Sequence, residues 1–178
     1  MKKENHFSEQ DKKFMALALA EAEQALAAGN YPVGAVLTIN GEFGGQARNS
    51  ILSDAQSTAH AEQRLLQANS AQLRRLIRTD PAYNIGLYTT LEPCLMCLGA
   101  AVLHRVTRIV VACPDPHGGA TRLNPELLGS FYGEHWPKVE LGLMKEIAAD
   151  LIIEFLKTEK MLLWERMLAE FSAMRQRW

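Results

Sequence analysis

The stretch "TLEPCLMCLGA", residues Thr90 to Ala100, follows "IGLYT", a short apolar segment typical of a buried strand. Pro93 favours a helix start here, because a proline in the first turn of a helix loses no backbone hydrogen bond. Cys94 and Cys97 then place two thiols on one side of that turn, where the positive end of the helix favours their ionised form. The stretch therefore predicts a strand followed by a helix that begins with a pair of metal ligands.

A second stretch, "STAHAEQRLL" from Ser57 to Leu66, repeats this arrangement with other side chains. It follows a loop rich in turn-forming residues, and Thr58 is expected to cap a helix that runs to about Ala68. His60 and Glu62 stand two residues apart where that helix begins. If the two helices lie side by side, their first turns meet at one edge of a sheet. The predicted metal ligands are His60, Cys94 and Cys97.

Two thiolates and an imidazole suit zinc, and three protein ligands leave the fourth tetrahedral position open, as in catalytic zinc sites. Glu62 is then expected to act as a proton shuttle rather than as a ligand, because it lies within reach of a water at the open position. Two alternatives rest on the Cys-x-x-Cys alone. A structural zinc site needs a fourth ligand, for which Cys113 is the nearest thiol, and a redox pair leaves His60 and Glu62 without a role.

Length and composition indicate one globular domain: 178 residues, of which 48% are hydrophobic and 22% charged. Three cysteines, an odd number, favour metal or redox chemistry over a disulfide framework. Apolar runs fall short of the roughly 18 residues of a membrane span, and the charged N-terminus lacks a signal-peptide core, so a cytoplasmic protein without membrane contact is expected. The net charge of −1 supplies no basic excess for nucleic-acid binding.

The predicted elements run in the order helix, hairpin and then alternating strands and helices. A helix is predicted over 8–28, a strand over 33–39, a turn at Asn40 and Gly41, and a return strand over 42–49. The last 34 residues, 145–178, contain no glycine or proline and predict an extended C-terminal helix, with the polar patch "KTEK" at 157–160 as the place where it would bend or be interrupted. We therefore expect residues 1–178 to form a single α/β domain with three layers.

"HAE" at 60–62, followed by "PCLMC" at 93–97, resembles the H-x-E…P-C-x-x-C signature of the zinc-dependent nucleobase deaminases in the cytidine/deoxycytidylate deaminase superfamily. "PVGAVL" at 32–37 and "TLEPCLMCLGA" resemble the branch that contains bacterial tRNA adenosine deaminases, and guanine and cytosine deaminases share much of this pattern. The resemblance covers about residues 14–156. It implies an α/β/α sandwich with a five-stranded mixed sheet, one Zn²⁺ per subunit and a homodimer.

The same resemblance implies hydrolytic deamination, in which water displaces ammonia from a ring carbon and the glutamate of the signature transfers protons. It further implies that Asn49 and the backbone N–H of Ala61 hydrogen-bond the base, and that Val33 and Leu91 wall its faces. Taken without the resemblance, Asn49 also suits a turn. Glu62 on its own also suits a first-turn carboxylate that complements the helix dipole.

The loop "CPDPHGG" at 113–119 carries Asp115 where the tRNA-acting relatives have a substrate-contacting loop, although a turn-capping aspartate fits this position as well. The same loop carries His117 where a lysine is expected for phosphate contact. The sequence therefore favours a small nucleobase or nucleoside as the substrate. A basic strip beside the pocket, drawn from scattered arginines such as Arg74, Arg75 and Arg78, is the feature expected of a tRNA-binding enzyme.

Two other functions remain open at this point. One is a tRNA-specific adenosine deaminase that converts wobble adenosine to inosine. The other is a catalytically silent, zinc-stabilised binding module, which an intact Glu62 disfavours because a structural metal site has no use for a proton shuttle.

Overall fold

The computed structural model describes residues 7–158 and 162–178. In chain order, the helices and strands of this part are α1 (Glu9–Ala27), β1 (Gly34–Ile39), β2 (Glu42–Arg48), α2 (Ala61–Thr79), β3 (Ile85–Leu91), α3 (Leu95–Leu103), β4 (Arg108–Cys113), α4 (Ser130–Glu134), β5 (Lys138–Leu141), α5 (Lys145–Thr158) and α6 (Leu162–Arg175). A short 3₁₀ turn, Pro125–Leu127, precedes α4. None of the helices in these residues is both long and apolar enough to cross a membrane.

The strands form one five-stranded sheet in the order β2-β1-β3-β4-β5. β1 is antiparallel to β2 and β3, whereas β3, β4 and β5 run parallel, so the predicted mixed sheet is confirmed. Helices α1 and α5 pack on one face of the sheet, and α2 packs on the other with α3 beside it. This gives the predicted three layers. The hairpin turn is also where it was predicted, with Asn40 and Gly41 both at positive φ, as a type I′ turn requires.

A buried charged cluster joins α1 to the sheet. Ser8 caps α1 in a capping box with Asp11, whose carboxylate also accepts hydrogen bonds from the Tyr88 hydroxyl at 2.7 Å and from Arg108 at 2.5 Å. The contact with Arg108 and these other hydrogen bonds outweigh burial, so the pKa of Asp11 lies well below its usual range. One carboxylate thereby ties the first turn of α1 to two strands.

Helix α2 differs from its prediction at both ends. His60 rather than Thr58 is its N-cap residue, and the helix continues to Thr79 rather than ending near Ala68. The extension follows from the pattern of burial, since Leu73 continues the apolar face that begins with Leu65 and Leu66. Helix α3 also begins later than predicted. Pro93 was expected in its first turn but precedes the helix, and Cys94 is the N-cap residue.

The prediction of one extended helix over 145–178 is wrong, because the segment folds into α5 and α6, which pack against each other. The guanidinium of Arg175 lies 2.9 Å from the Asp150 carboxylate. In a continuous helix these residues would stand about 37 Å apart. Packing drives the reversal: the rings of Phe155 and Trp164 lie 5.1 Å apart, and Phe171 is fully buried. The predicted interruption at "KTEK", residues 157–160, coincides with the end of α5 at Thr158, and Glu159 and Lys160 lie outside the described residues.

Candidate active site

The N-termini of α2 and α3 meet on one face of the sheet. His60 is the N-cap residue of α2, and Cys94 is the N-cap residue of α3. A hydrogen bond of 3.2 Å from Gln63 to the carbonyl oxygen of Met96 ties the two first turns together. Both N-cap side chains are thus turned toward each other and are available as ligands.

The three predicted ligands come together as a group. One ligand atom from each of His60, Cys94 and Cys97 lies within 4.8 Å of the others, and Nδ1 of His60 is 3.8 Å from Sγ of Cys94. Tetrahedral zinc with ordinary bond lengths holds such a sulfur and nitrogen about 3.6 Å apart, so the residues present fit zinc. Cys113 is not a member of this group; its thiol contacts the carbonyl oxygen of Pro114 at 3.2 Å. A fourth thiol ligand is therefore lacking.

The local electrostatics favour a thiolate. A hydrogen bond from Cys97 and a second one from His60 together lower the pKa of the Cys94 thiol to about 4, against the opposing effect of burial. The same hydrogen bond, together with burial, raises the pKa of Cys97. The hydrogen bond to Cys94 raises the pKa of His60 against the opposing effect of burial. At neutral pH Cys94 therefore carries a negative charge that attracts a cation.

Glu62 lies in the first turn of α2, beside the three ligands, and only 3% of its surface is exposed. Burial raises the pKa of its carboxyl group. Its Oε2 atom has no hydrogen-bond partner within the described part of the chain. A buried carboxylate oxygen without a partner is costly and points to a group that acts on something bound in the site.

A cavity of about 190 Å³ opens beside these groups. Its lining contains seven of the predicted residues: Val33, Asn49, His60, Glu62, Leu91, Cys94 and Asp115. Cys97 lies behind Cys94 and is fully buried. Ala61, also fully buried, is the first residue of α2 but is absent from the cavity lining. The structure thus brings most of the predicted contact residues to one pocket.

Glu92, which directly precedes Pro93, lines the cavity and braces the loop beside it. Its carboxylate accepts hydrogen bonds from the backbone N–H of Asp115 at 3.0 Å and from Thr121 through both its N–H and its hydroxyl group. Asp115 in turn accepts the N–H groups of His117 and Gly118, as a turn-capping aspartate does. Burial raises the pKa of Asp115. Asp115 therefore shapes the turn and lines the pocket at once.

Three further residues line the cavity and were not predicted to do so: Tyr31, Ile51 and Met167. Tyr31 precedes β1, and Met167 comes from α6, more than a hundred residues away in the chain. In the sequence such apolar residues cannot be distinguished from core residues. Met167 reaches the cavity because α6 folds back along α5, and the sequence did not predict that reversal.

The arginine cluster does not lie beside this pocket. Arg74 and Arg78 line a separate groove with Arg105, near the C-terminal ends of α2 and α3. Arg78 follows His60 by eighteen residues of helix, which corresponds to about 27 Å along the axis of α2. The basic strip expected of a tRNA-binding enzyme is therefore not formed at the pocket by these residues.

Comparison with known proteins identifies the family. The model of the cytidine and deoxycytidylate deaminase zinc-binding region matches residues 8–113, and the chain belongs to this family. The tRNA-specific adenosine deaminase of Bacillus subtilis (strain 168) is 35% identical over 148 residues, which cover 83% of this chain and 89% of that protein. The predicted superfamily and branch are confirmed.

Two solved structures share the fold. One, from a study of A-to-I editing by tRNA:A34 deaminases at the wobble position of transfer RNA, has 31% identity and a TM-score of 0.64, and the match covers 78% of this chain and 98% of that one. The other, a guanine deaminase from Nitrosomonas europaea, has 24% identity and a TM-score of 0.67 over 81% and 83% of the two chains. This protein is thus a zinc-dependent hydrolytic deaminase with a cytidine deaminase-like fold.

Proposed function

We propose that the protein deaminates the wobble adenosine of a tRNA to inosine. The observation that carries this proposal is the similarity to tRNA-specific adenosine deaminases over most of both chains, at 35% identity for the Bacillus subtilis protein and again for that of Aquifex aeolicus (strain VF5). The cavity suits a single base that enters from outside, as base-modifying enzymes require when they act on a nucleotide taken out of its stack.

Zinc held by the ligands His60, Cys94 and Cys97 would lower the pKa of a water in the open fourth position to about 7. Glu62 takes a proton from the attacking water and returns it to the base, so that the amino group leaves as ammonia. The carboxylate is suited to this task because Glu62 lines the cavity and its unpartnered Oε2 is shielded from bulk water.

The base is held by Asn49, Ala61, Val33 and Leu91 in this proposal. The side-chain oxygen of Asn49 accepts the N–H of Ile51 at 3.0 Å, which fixes the amide and leaves its NH₂ group to donate to the ring. The backbone N–H of Ala61 belongs to the first turn of α2, where N–H groups have no acceptor within the helix. Val33 and Leu91 supply buried apolar surface on the cavity wall.

A second candidate, deamination of a free nucleobase or nucleoside, is favoured by two observations. The arginine groove lies far from the pocket, and Met167 of α6 forms part of the pocket wall. A free base needs only the pocket, whereas RNA needs a basic surface as well.

We also propose a homodimer formed through the exposed face of α3. Leu95 and Leu103 on this face are 67% and 60% exposed, and a side chain at Gly99 between them would meet open space. Apolar side chains repeated on one face of a short helix are typical of a surface that another subunit covers. Light scattering should give a dimer for the wild type and a monomer for Leu103→Asp; a dimeric Leu103→Asp would contradict this interface.

The function is tested by incubating the zinc-loaded protein with an anticodon stem-loop that carries wobble adenosine, and separately with adenine, guanine, cytosine and their nucleosides. Mass spectrometry detects inosine in the RNA, and an ammonia assay covers the small molecules. The proposal predicts inosine in the stem-loop and none when the wobble position is guanosine. Ammonia release from small molecules without any inosine in the stem-loop would instead establish the second candidate.

A further inference from the structure

Helix α6 contributes a side chain to the active-site pocket. Met167 lines the cavity together with Tyr31, and the Tyr31 hydroxyl donates to the Met167 sulfur at 3.7 Å. Met167 is 9% exposed, so most of its surface is covered by the protein. Helix α6 therefore forms part of the pocket wall, although it lies far from the metal ligands in the sequence.

The position of α6 is fixed on both sides of Met167. Trp164 packs its ring 5.1 Å from that of Phe155 and 6.2 Å from that of Tyr31. One turn beyond Met167, Glu170 pairs with His117 at 3.1 Å, and His117 belongs to the loop that Asp115 shapes. These contacts join α6 to Tyr31, another residue of the cavity lining, and to the loop beside the pocket, and they fix the position of Met167 in the cavity wall.

We propose that Met167 is a specificity-determining residue, which sets how much of a substrate beyond the reacting base can approach Glu62. This inference rests on the proposed deaminase function and concerns the choice between its two substrate classes. A free base lies wholly inside the cavity. A base attached to ribose or to RNA also carries groups that extend beyond the space that the base itself fills. Met167 is part of the wall that bounds this space, so the fit of these groups depends on the size of the side chain at 167.

The experiment compares the wild type with two variants. Met167→Ala removes most of the side chain from the cavity wall, and Met167→Phe replaces it with a bulkier one. Met174→Ala is the matched control, since it truncates a methionine of the same helix that packs on the core and is not part of the cavity lining. The measured quantity is the ratio of kcat/KM for the anticodon stem-loop to kcat/KM for free adenine. We expect Met167→Ala to raise this ratio about tenfold through a lower KM for RNA, and Met167→Phe to lower it by a similar factor.

A ratio within twofold of the wild type in both Met167 variants would overturn the inference, as would an equal change in Met174→Ala. Affinity gives a second measurement in the catalytically silenced Glu62→Ala background, where fluorescence anisotropy of a labelled stem-loop should show tighter binding with Met167→Ala. If Met167→Ala does not fold, Met167→Phe carries the test alone.

Failure of the proposed function has a different signature. If no variant deaminates the stem-loop, tRNA is not the substrate, and the same variants are compared on a nucleoside and its free base. The inference then predicts that Met167→Ala raises the nucleoside-to-base ratio and that Met167→Phe lowers it; an unchanged ratio would overturn it.

Discussion

Nδ1 of His60 lies 3.8 Å from Sγ of Cys94, although 34 residues separate them in the chain. The two residues meet because each is the N-cap residue of a helix, and α2 and α3 pack side by side on one face of the sheet. A site built on helix N-termini places its ligands in a positive electrostatic field that stabilises thiolates. The sheet on which these helices pack fixes the positions of the ligands and of Glu62 relative to one another.

The ligand assignment predicts different effects for the cysteines. Cys97→Ser should reduce bound zinc from one per subunit to below about 0.1, because a hydroxyl is a poor zinc ligand compared with a thiolate. Cys113→Ser is the control, since Cys113 is equally buried but lies outside the ligand group, and it should keep its zinc. Metal analysis of both purified variants checks this. Full zinc in Cys97→Ser, or its loss in Cys113→Ser alone, would contradict the assignment.

The loop at Asp115 depends on a close approach at Gly119. A Cβ atom there would overlap the Glu92 carboxylate and the carbonyl oxygen of Asp115. Gly119→Ala should therefore displace the loop, cost about 1–3 kcal/mol of stability and raise KM about tenfold. Gly129→Ala, where a Cβ would meet open space, serves as the control. Urea unfolding and steady-state kinetics measure both effects; wild-type behaviour of Gly119→Ala would show that the loop can adjust.

The Asp11–Arg108 pair predicts how stability changes with pH. Folding lowers the pKa of Asp11 below its ordinary value of 3.8, so the stabilisation is complete above that pH and is lost as the pH falls toward the folded-state value. Asp11→Asn should cost about 3 kcal/mol at pH 7, because it removes one of the two carboxylates that pair with Arg108 and the charged acceptor of the Tyr88 hydroxyl. The difference from wild type should shrink as the pH drops below 4.

Urea unfolding at a series of pH values measures this difference. Glu9→Gln changes an exposed carboxylate of the same helix turn and should have an effect close to zero at every pH. A constant difference between Asp11→Asn and wild type from pH 7 to pH 3 would show that the pair is not the source of the stabilisation.

The sequence predicted the sheet, the hairpin and the metal ligands because each has a local signal: alternation of polarity, an Asn-Gly turn, and ligand residues at helix starts. It missed the end of α2, since the basic stretch after Ala68 looks like a connection until Leu73 is seen to be buried. It also missed the reversal between α5 and α6. Residues 145–178 contain no helix-breaking residue, and the reversal depends on long-range packing such as that of Phe155 with Trp164.

The residues of the active site also divide into those that the sequence reveals and those that only the structure reveals. His60, Cys94 and Cys97 carry chemistry that is recognisable in any context, whereas Tyr31, Ile51 and Met167 are ordinary hydrophobic or aromatic residues. Their presence at the cavity depends on the tertiary path of the chain. The role of Glu92 also needed the structure, because its partners lie 23 and 29 residues further along the chain. Substrate preference depends mainly on such residues and is therefore the least predictable property.

The central claim, that Glu62 moves protons at a zinc site, is tested most directly by Glu62→Ala. We predict one bound zinc per subunit in this variant, together with a fall in kcat of at least a hundredfold on whichever substrate the wild type deaminates. Glu126→Ala, which removes an exposed carboxylate, should match the wild type in both measurements. Zinc content and ammonia release are measured on the same preparations. Turnover by zinc-loaded Glu62→Ala at the wild-type rate would contradict the account.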